Sequence, residues 1–596
     1  MTDAMTPADA ATSSPAITVD RAEAAYLGAA IGDALGWPHE MRASRAGRSQ
    51  HFDILTFERW TKRSGGRFQP HEERIDPGHY SDDTQLILAT SRSILRAPSN
   101  WWVAFAREEL PLWTLYQRGG GGATKRAATS WLSGKAPWTA KPADAARYFS
   151  AGGNGVAMRV LPHCLRHAGD IEFDELATDI MTDAVTTHGH PRAIVGALAY
   201  GYGLWQAFRH RGTLDYGVLL LAVLTGWEVW GKLPNLAGRW KGWEDAASLD
   251  GEYERLWTRT VREQLNLLEI CADALAGGAA IIDEDTLRAL GCFDRSVNGS
   301  GTVNAAAAIF LASRHAVEPI RGIAHAALAE GADTDTLASM AGGLLGAAIG
   351  LEWTRTLTRD LQDSDAIRHL AAAIHTLDDG NASDSPLTPV TKASLAVFLD
   401  NLREIHEPGT VTLPNGMIAR AQRWDGVLSK SQSLLASAWK LKLEDGQTLY
   451  VKKLAKVPAE AGDTTGARSD TSPPSSERVA APLHIGFRLV VSNLARSTIF
   501  YQEVVGLPIS RRSAKSVTLG GILSIGEADR ILEVADGITV FIEVRDIVHS
   551  RSVYETLLPD RNLWVEERED RIRLLCHDPD GYKIELYQMK NSEGVT

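Results

Sequence analysis

Cysteine is scarce in this sequence. The 596-residue chain holds four, Cys164, Cys271, Cys292 and Cys576, far apart and never in a CxxC pair. That spacing argues against a disulfide framework and against a zinc knuckle. Long apolar runs are missing as well: none approaches the ~20 residues that a membrane span needs. The opening MTDAMTPADAATSSPAITVD has neither a basic n-region nor an apolar core, so it is not a signal peptide. The expectation is a cytoplasmic chain with reduced thiols, no membrane partner and a disordered tail over residues 1–20. Positive charge is not in surplus either. The formal net charge is −12, which speaks against a general nucleic-acid binder. It leaves room for a local basic groove, because net charge averages over all domains.

What is present is an ordinary globular composition, 44% apolar and 23% charged, in a chain long enough for two or three folding units. Residues 21–372 are rich in Ala, Leu and Gly at helical spacing, as in AEAAYLGAAIGDALG and ASMAGGLLGAAIGLEW. They predict an all-α domain whose helices pack closely. An extension over 373–456 carries WKLKLEDGQTLYVKKL, whose alternation around Asp445-Gly446 predicts a β-hairpin with a type I′ turn. A Ser/Thr/Pro/Gly-rich linker follows over 457–481. In 482–590 the order strand–helix–strand–strand–strand occurs twice, which predicts an α+β domain of paired βαβββ units. The fold class is therefore multidomain: all-α, then a small β-containing segment, then α+β.

Two short acidic motifs stand far apart, Ser81-Asp82-Asp83-Thr84 and Asp333-Thr334-Asp335-Thr336, each directly ahead of a helical stretch. Asp at a helix start is ordinarily an N-cap. Capping, however, needs one acceptor, and each motif offers two carboxylates that repel one another unless a cation or proton compensates. Both are hard oxygen donors without Cys or His, a set that suits Mg²⁺, Mn²⁺ or Ca²⁺ rather than zinc. Around them lie Gly28-Ala-Ala-Ile-Gly-Asp33-Ala-Leu-Gly36 leading to Glu40, the loop Gly152-Gly153-Asn154-Gly155-Val-Ala-Met-Arg159, and Thr187-His188-Gly189-His190-Pro191. Glycines let backbone come close to a ligand.

In this order the set GDALG…E, SDDT, GGNGVAMR, THGHP and ADTDT resembles the ADP-ribosylglycohydrolase family, which includes the dinitrogenase reductase-activating glycohydrolases. The resemblance spans residues 21–372. It implies a helical fold with two Mg²⁺ or Mn²⁺ ions in a cleft. Ser81, Asp82 and Asp83 match the first metal motif, and Asp333, Asp335 and Thr336 the second. Glu40 matches an acidic residue near the metals, Gly153, Asn154 and Gly155 a ligand-contacting loop, and His188 a position near the bound nucleotide. Gly119–Gly122, with Gly121 at its centre, resembles a further substrate loop. Glu40, Asp83 and Asp335 are the candidates for general base, and the choice among them stays open.

Residues 482–590, with His484 on the first strand and DPDGYKIELYQ at the end, resemble the vicinal oxygen chelate superfamily of glyoxalases and bleomycin-resistance-type binding proteins. His484 and Glu585 match two ligand positions, but Thr539 stands where a further His is expected, so a metal-free binding cavity is expected here. The reading that follows is a hydrolase releasing ADP-ribose from a protein, or alternatively from a nucleic acid, with a homodimer expected through the C-terminal domain. The alternatives are a non-catalytic ADP-ribose-binding protein, or a small-molecule-binding or lyase role led by the C-terminal module.

Overall fold

The computed structural model describes, in a first compact unit, residues 17–40, 55–66, 69–247, 251–278, 282–378, 383–431 and 433–456. In a second unit it describes 487–491, 493–505, 509–512, 516–519, 523–527, 539–544, 546–558, 563–567, 571–578 and 583–589. The linker 457–481, His484 and the first 16 residues lie outside the described residues.

The first unit is built around two helices, α1 (Val19–Gly36) and Thr334–Ile349. Helix α1 opens at Thr18, whose side chain caps Arg21 N, so ordered structure begins inside the expected tail. The two helices run antiparallel at very close range. A Cβ at Gly28 would lie 2.3 Å from the Gly342 carbonyl oxygen, and one at Gly32 would lie 2.0 Å from that of Ala338. No side chain fits such a crossing, which is why small residues recur every four positions on both helices. The approach sets Asp33 beside the start of the second helix, where the Thr334 hydroxyl donates to the Gly36 carbonyl at 2.8 Å. Helix α2 (Asp82–Arg96) and the helices Pro191–Arg209 and Gly301–Arg314 complete the buried centre.

The all-α expectation for residues 21–372 needs correction. An antiparallel hairpin, β1 (Trp60–Ser64) and β2 (His71–Ile75), interrupts the helices. Strand β2 reads HEERI with His71, Glu73 and Ile75 buried. Its alternation is hidden from a hydrophobicity reading because one buried position is a carboxylate. Glu73 is neutralised in place by Arg118 Nε at 2.7 Å and Lys452 Nζ at 2.6 Å.

The extension is also more than a hairpin. After a helix, Lys392–Arg403, come β3 (Gly409–Thr412), β4 (Ile418–Arg423), β5 (Val427–Ser429), β6 (Leu434–Leu443) and β7 (Thr448–Lys456). Four of them form an antiparallel sheet ordered β3-β4-β6-β7, while β5 joins the earlier hairpin as β1-β2-β5. These strands belong to the same compact unit as the helices. The β6–β7 turn is not type I′. Leu443 pairs with Gln447, Gly446 N donates to the Leu443 carbonyl, and Gly446 alone takes positive φ, +92°. This is a three-residue loop with glycine in the left-handed position, the next most common hairpin solution.

The second unit repeats one topology. Strands β8 (Phe487–Val491), β9 (Ile509–Arg512), β10 (Ser516–Leu519) and β11 (Leu523–Glu527) are ordered β8-β11-β10-β9. Strands β12 (Thr539–Glu543), β13 (Trp564–Glu567), β14 (Arg571–His577) and β15 (Lys583–Met589) are ordered β12-β15-β14-β13. In each sheet the first strand pairs parallel with the last, and the other neighbours are antiparallel. The parallel pair requires a crossover, supplied by the helical segments Leu494–Val504 and Ile547–Leu557.

Candidate active site

Helix α2 shows what the first acidic motif does with its polar atoms. Ser81 is the N-cap: its Oγ accepts from Asp83 N at 3.3 Å and donates to the Asp83 carboxylate. Asp82 and Asp83 are therefore free of capping duty. Asp82 Oδ1 instead accepts from Gly120 N at 2.5 Å, and Asp83 Oδ1 is buried with no hydrogen-bond partner. At the second motif Asp333 occupies the N-cap position of its helix without capping it. Its Oδ2 accepts from Asn154 Nδ2 at 2.9 Å, and Asp335 Oδ1 accepts from Thr336 N at 2.9 Å. Asp82, Asp83 and Asp333 spend no carboxylate oxygen on capping, and Asp335 gives only one, to Thr336 N.

One pocket of about 290 Å³ gathers these groups. It is lined by Glu40, Asp82, Asp83, Asp333, Asp335 and Thr336, together with Gly119–Thr124, Gly153, Asn154, Gly155 and His188. Every site residue expected from the sequence lines it except Ser81, which stands buried behind Asp83. Carboxylate oxygens of Glu40, Asp333 and Asp335 lie within 4.8 Å of one another. Burial, reinforced by the neighbouring Asp333 and Asp82, pushes Glu40 up to about 7. Burial raises Asp82 to about 6 against the Gly120 hydrogen bond, and it raises Asp83 and Asp335 further, with adjacent carboxylates adding to the shift. Crowded, dehydrated, hard oxygen donors of this kind fit divalent cations. The orphaned Asp83 Oδ1 is the most direct sign of that fit.

Glycine is required in the wall of the pocket. Gly119 has φ +124°, and a Cβ there would stand 2.2 Å from Asp82 Oδ1; Gly120 has φ +46°. Across the pocket, Asn154 N donates to the Gly299 carbonyl at 3.0 Å, tying its loop to the segment before Gly301–Arg314. His188 is buried, with Nδ1 at 2.7 Å from the Thr187 hydroxyl. Burial and the nearby Arg159 hold it down to about 3, so its ring is neutral.

Three contributors carry no direct signal in the sequence. Asp33 is fully buried and accepts from Ser81 N, Thr84 N and Thr84 Oγ1 at 2.8, 3.0 and 2.7 Å, clamping the start of α2. Arg159 grips the Asp183 carboxylate at 3.1 and 2.9 Å. It also donates to the Gly155 carbonyl and, at 2.8 Å, to the Thr187 hydroxyl, so one guanidinium joins the Asn154 loop to the His188 loop. Lys62, on β1, lies 4.7 Å over the Trp37 ring, and its charge acts on Glu40 and Asp82. Asp33 and Arg159 stand inside quoted motifs, but their partners Thr84 and Asp183 come together only on folding. Lys62 sits in the strand that the all-α reading missed. The extension also reaches this region: Arg118, next to Gly119, is held by Glu73 and lies 3.7 Å over Tyr450 of β7.

A second acidic group is differently occupied. Asp283 Oδ2 lies 3.0 Å from His315 Nε2 and 3.2 Å from His325 Nε2, and Arg314 Nε takes the other oxygen. In the second unit the buried Glu585 is held by Arg573 through two hydrogen bonds of 2.6 Å. Both carboxylates are already neutralised.

Comparison with known proteins bears on the pocket directly. A curated relative, the ADP-ribosyl-dinitrogen reductase glycohydrolase of Rhodospirillum rubrum, is 32% identical over 198 residues, 32% of this chain, and the match spans 60% of that relative's length. A solved ADP-ribosylglycohydrolase-related protein complex aligns over 60% of this chain and 97% of its own at 20% identity and TM-score 0.37. A possible glyoxalase from Bacillus cereus aligns over 18% of this chain and 98% of its own at 18% identity and TM-score 0.15. The sequence model of ADP-ribosylglycohydrolases matches residues 14–384. That match takes in every residue lining the acidic pocket and more than half of the sequence, and the chain belongs to the ADP-ribosylglycohydrolase family.

Proposed function

We propose that the first unit hydrolyses the glycosidic bond joining ADP-ribose to a modified macromolecule, at a site holding two Mg²⁺ or Mn²⁺ ions. One observation carries this reading: two separated helix starts bring four aspartates into one pocket with Glu40, and one buried carboxylate oxygen there is left without a hydrogen-bond partner. Ser81, Asp82, Asp83, Asp333, Asp335 and Thr336 are the residues that would hold the cations, with Glu40 beside them. When bound, the ions would polarise the ribose hydroxyls and lower the pKa of a water.

The chain's own groups supply the rest. Glu40, which faces the cation-holding aspartates across the pocket, is the first candidate to take a proton from water. Asp83 and Asp335 remain alternative bases. Asn154 fixes the Asp333 carboxylate, and Arg159 fixes the loop that carries Asn154. The neutral His188 and the backbone of Gly121, Gly153 and Gly155 form the wall against which the nucleotide would lie. For the second unit we propose a glyoxalase-like binding module that pairs copies of the chain. The occupation of Glu585 by Arg573 favours binding over metal chemistry there.

The test is release of free ADP-ribose from an arginine-ADP-ribosylated protein in the presence of Mg²⁺. Release that stops with EDTA and in Asp335→Ala supports the hydrolase. No release from arginine-, serine- or nucleic-acid-linked ADP-ribose, with ADP-ribose still bound, would leave a binding protein instead.

A further inference from the structure

Next to the acidic pocket lies a larger open groove of about 910 Å³, and Ala123 lines both. The helix Gly122–Leu132 forms the shared wall: its first residues face the acids, and its later turns face the groove. The groove is opposite in charge to the pocket. Among the described residues Lys125, Arg126, Lys135, Lys141 and Lys392 line it, against a single carboxylate, Asp144. Asp144 is already paired with Arg147 at 3.5 Å. All five cationic side chains are exposed, and among the described residues none takes part in an ion pair or a side-chain hydrogen bond. In a chain of net charge −12, whose buried arginines 92, 118 and 159 each hold a carboxylate, five uncompensated cations in one trough are a concentrated positive field.

The hydroxyls of the groove are not free to share the work. Thr129, Ser130, Ser133 and Thr139 each donate to a backbone carbonyl. The donors left are ammonium groups and one guanidinium. Four lysines to one arginine is a set suited to phosphates met as point charges, and less to carboxylates gripped by paired N–H groups. Among the described residues of the lining there is no Asn or Gln, the side chains that read adenine edges, and the cations present serve phosphate contact first.

We propose that this groove docks a single nucleic-acid strand by its phosphates, so that the ADP-ribose drawn into the acidic pocket is carried on that strand. Its meaning for the substrate rests on the hydrolase reading above; the binding itself does not.

The experiment uses the full-length chain and a fluorescein-labelled single-stranded DNA oligonucleotide, with fluorescence anisotropy followed across a salt series. Binding in the micromolar range is expected, with a slope of log K against log salt of about −3.5 for five contacts. In Lys135→Glu/Lys141→Glu, neither of which lines the acidic pocket, affinity should fall at least about tenfold while cleavage of ADP-ribosyl-arginine stays unchanged. Absence of binding at low salt overturns the proposal. So does binding that the charge reversals leave untouched, or equal affinity for polyglutamate, which would make the groove a site for acidic protein. Loss of hydrolysis with DNA binding intact would remove only the hydrolase.

Discussion

Two regions of the molecule bury carboxylates in opposite ways. In the second unit Glu585 is buried and clasped by Arg573. In the first unit's pocket Asp83 and Asp335 are equally buried, yet they face other carboxylates. A paired buried acid holds architecture together, whereas a crowded group of unpaired ones is costly unless a cation joins it. The same contrast exists inside the first unit. Asp183 and Asp179 are drawn below the usual carboxylate range, because arginine and histidine partners outweigh their burial. The pocket aspartates 82, 83 and 335, in the same compact unit, are pushed above it.

The largest expected effect sharpens this contrast. Asp335→Asn should lower ADP-ribose release at least about a thousandfold, the loss of roughly 4 kcal/mol of transition-state stabilisation. It should also raise the melting temperature of the chain in EDTA, because the amide removes the cost of burying an acid among other carboxylates. A lower melting point in EDTA would show that Asp335 is paired after all. The unsubstituted chain carries the matching pH signature. Glu40 is raised from 4.5 to about 7, so its contribution is present below pH 4.5 and lost as pH rises through 7. Unfolding titrations in EDTA should therefore show stability falling across that window, and Mg²⁺ should restore it.

Asp183→Asn should do the reverse. It leaves Arg159 buried without its counter-charge, costing about 3–5 kcal/mol in chemical denaturation and loosening both loops that Arg159 joins. A change under about 1 kcal/mol would break the distinction between paired and unpaired acids.

His167 comes next. Burial would lower its pKa, but hydrogen bonds to Asp170 and Asp179 outweigh it and raise the ring from 6.5 to about 9. Its stabilisation is full below pH 6.5 and lost as pH climbs through 9. His167→Gln should remove on the order of 2 kcal/mol at pH 6 and little above pH 9, read from denaturation midpoints across pH.

The smallest effect is expected in the second unit. Arg573→Ala should lower its calorimetric transition by a few degrees and leave that of the first unit in place. If the second unit then gained affinity for a divalent metal, its carboxylate would belong with the pocket acids instead.

Much of this was readable in advance. The two acidic motifs, the glycine-spaced helices and the doubled strand order of the second unit depend on short-range pattern, and each is found as an element of the fold. The hairpin β1–β2 was hidden because its buried Glu73 is answered by Arg118 and by Lys452, some 379 positions away. Asp33 stands in the GDALG segment, but its clamp on α2 is not legible there, since Ser81 and Thr84 reach it only when α1 meets α2. The β6–β7 loop took three residues rather than two because Gln447 N is held by Asp445 and only Gly446 turns left-handed.

The sequence by itself determined which oxygens stand together at each helix start and where backbones may come within touching distance, since adjacency and the absence of a Cβ are properties of the chain. Only the tertiary structure decided that those oxygens face one another and not solvent, and that neighbouring carboxylates differ in charge state. Dehydration and the charges a few ångströms away set the cost of an anion, and neither can be read along the chain.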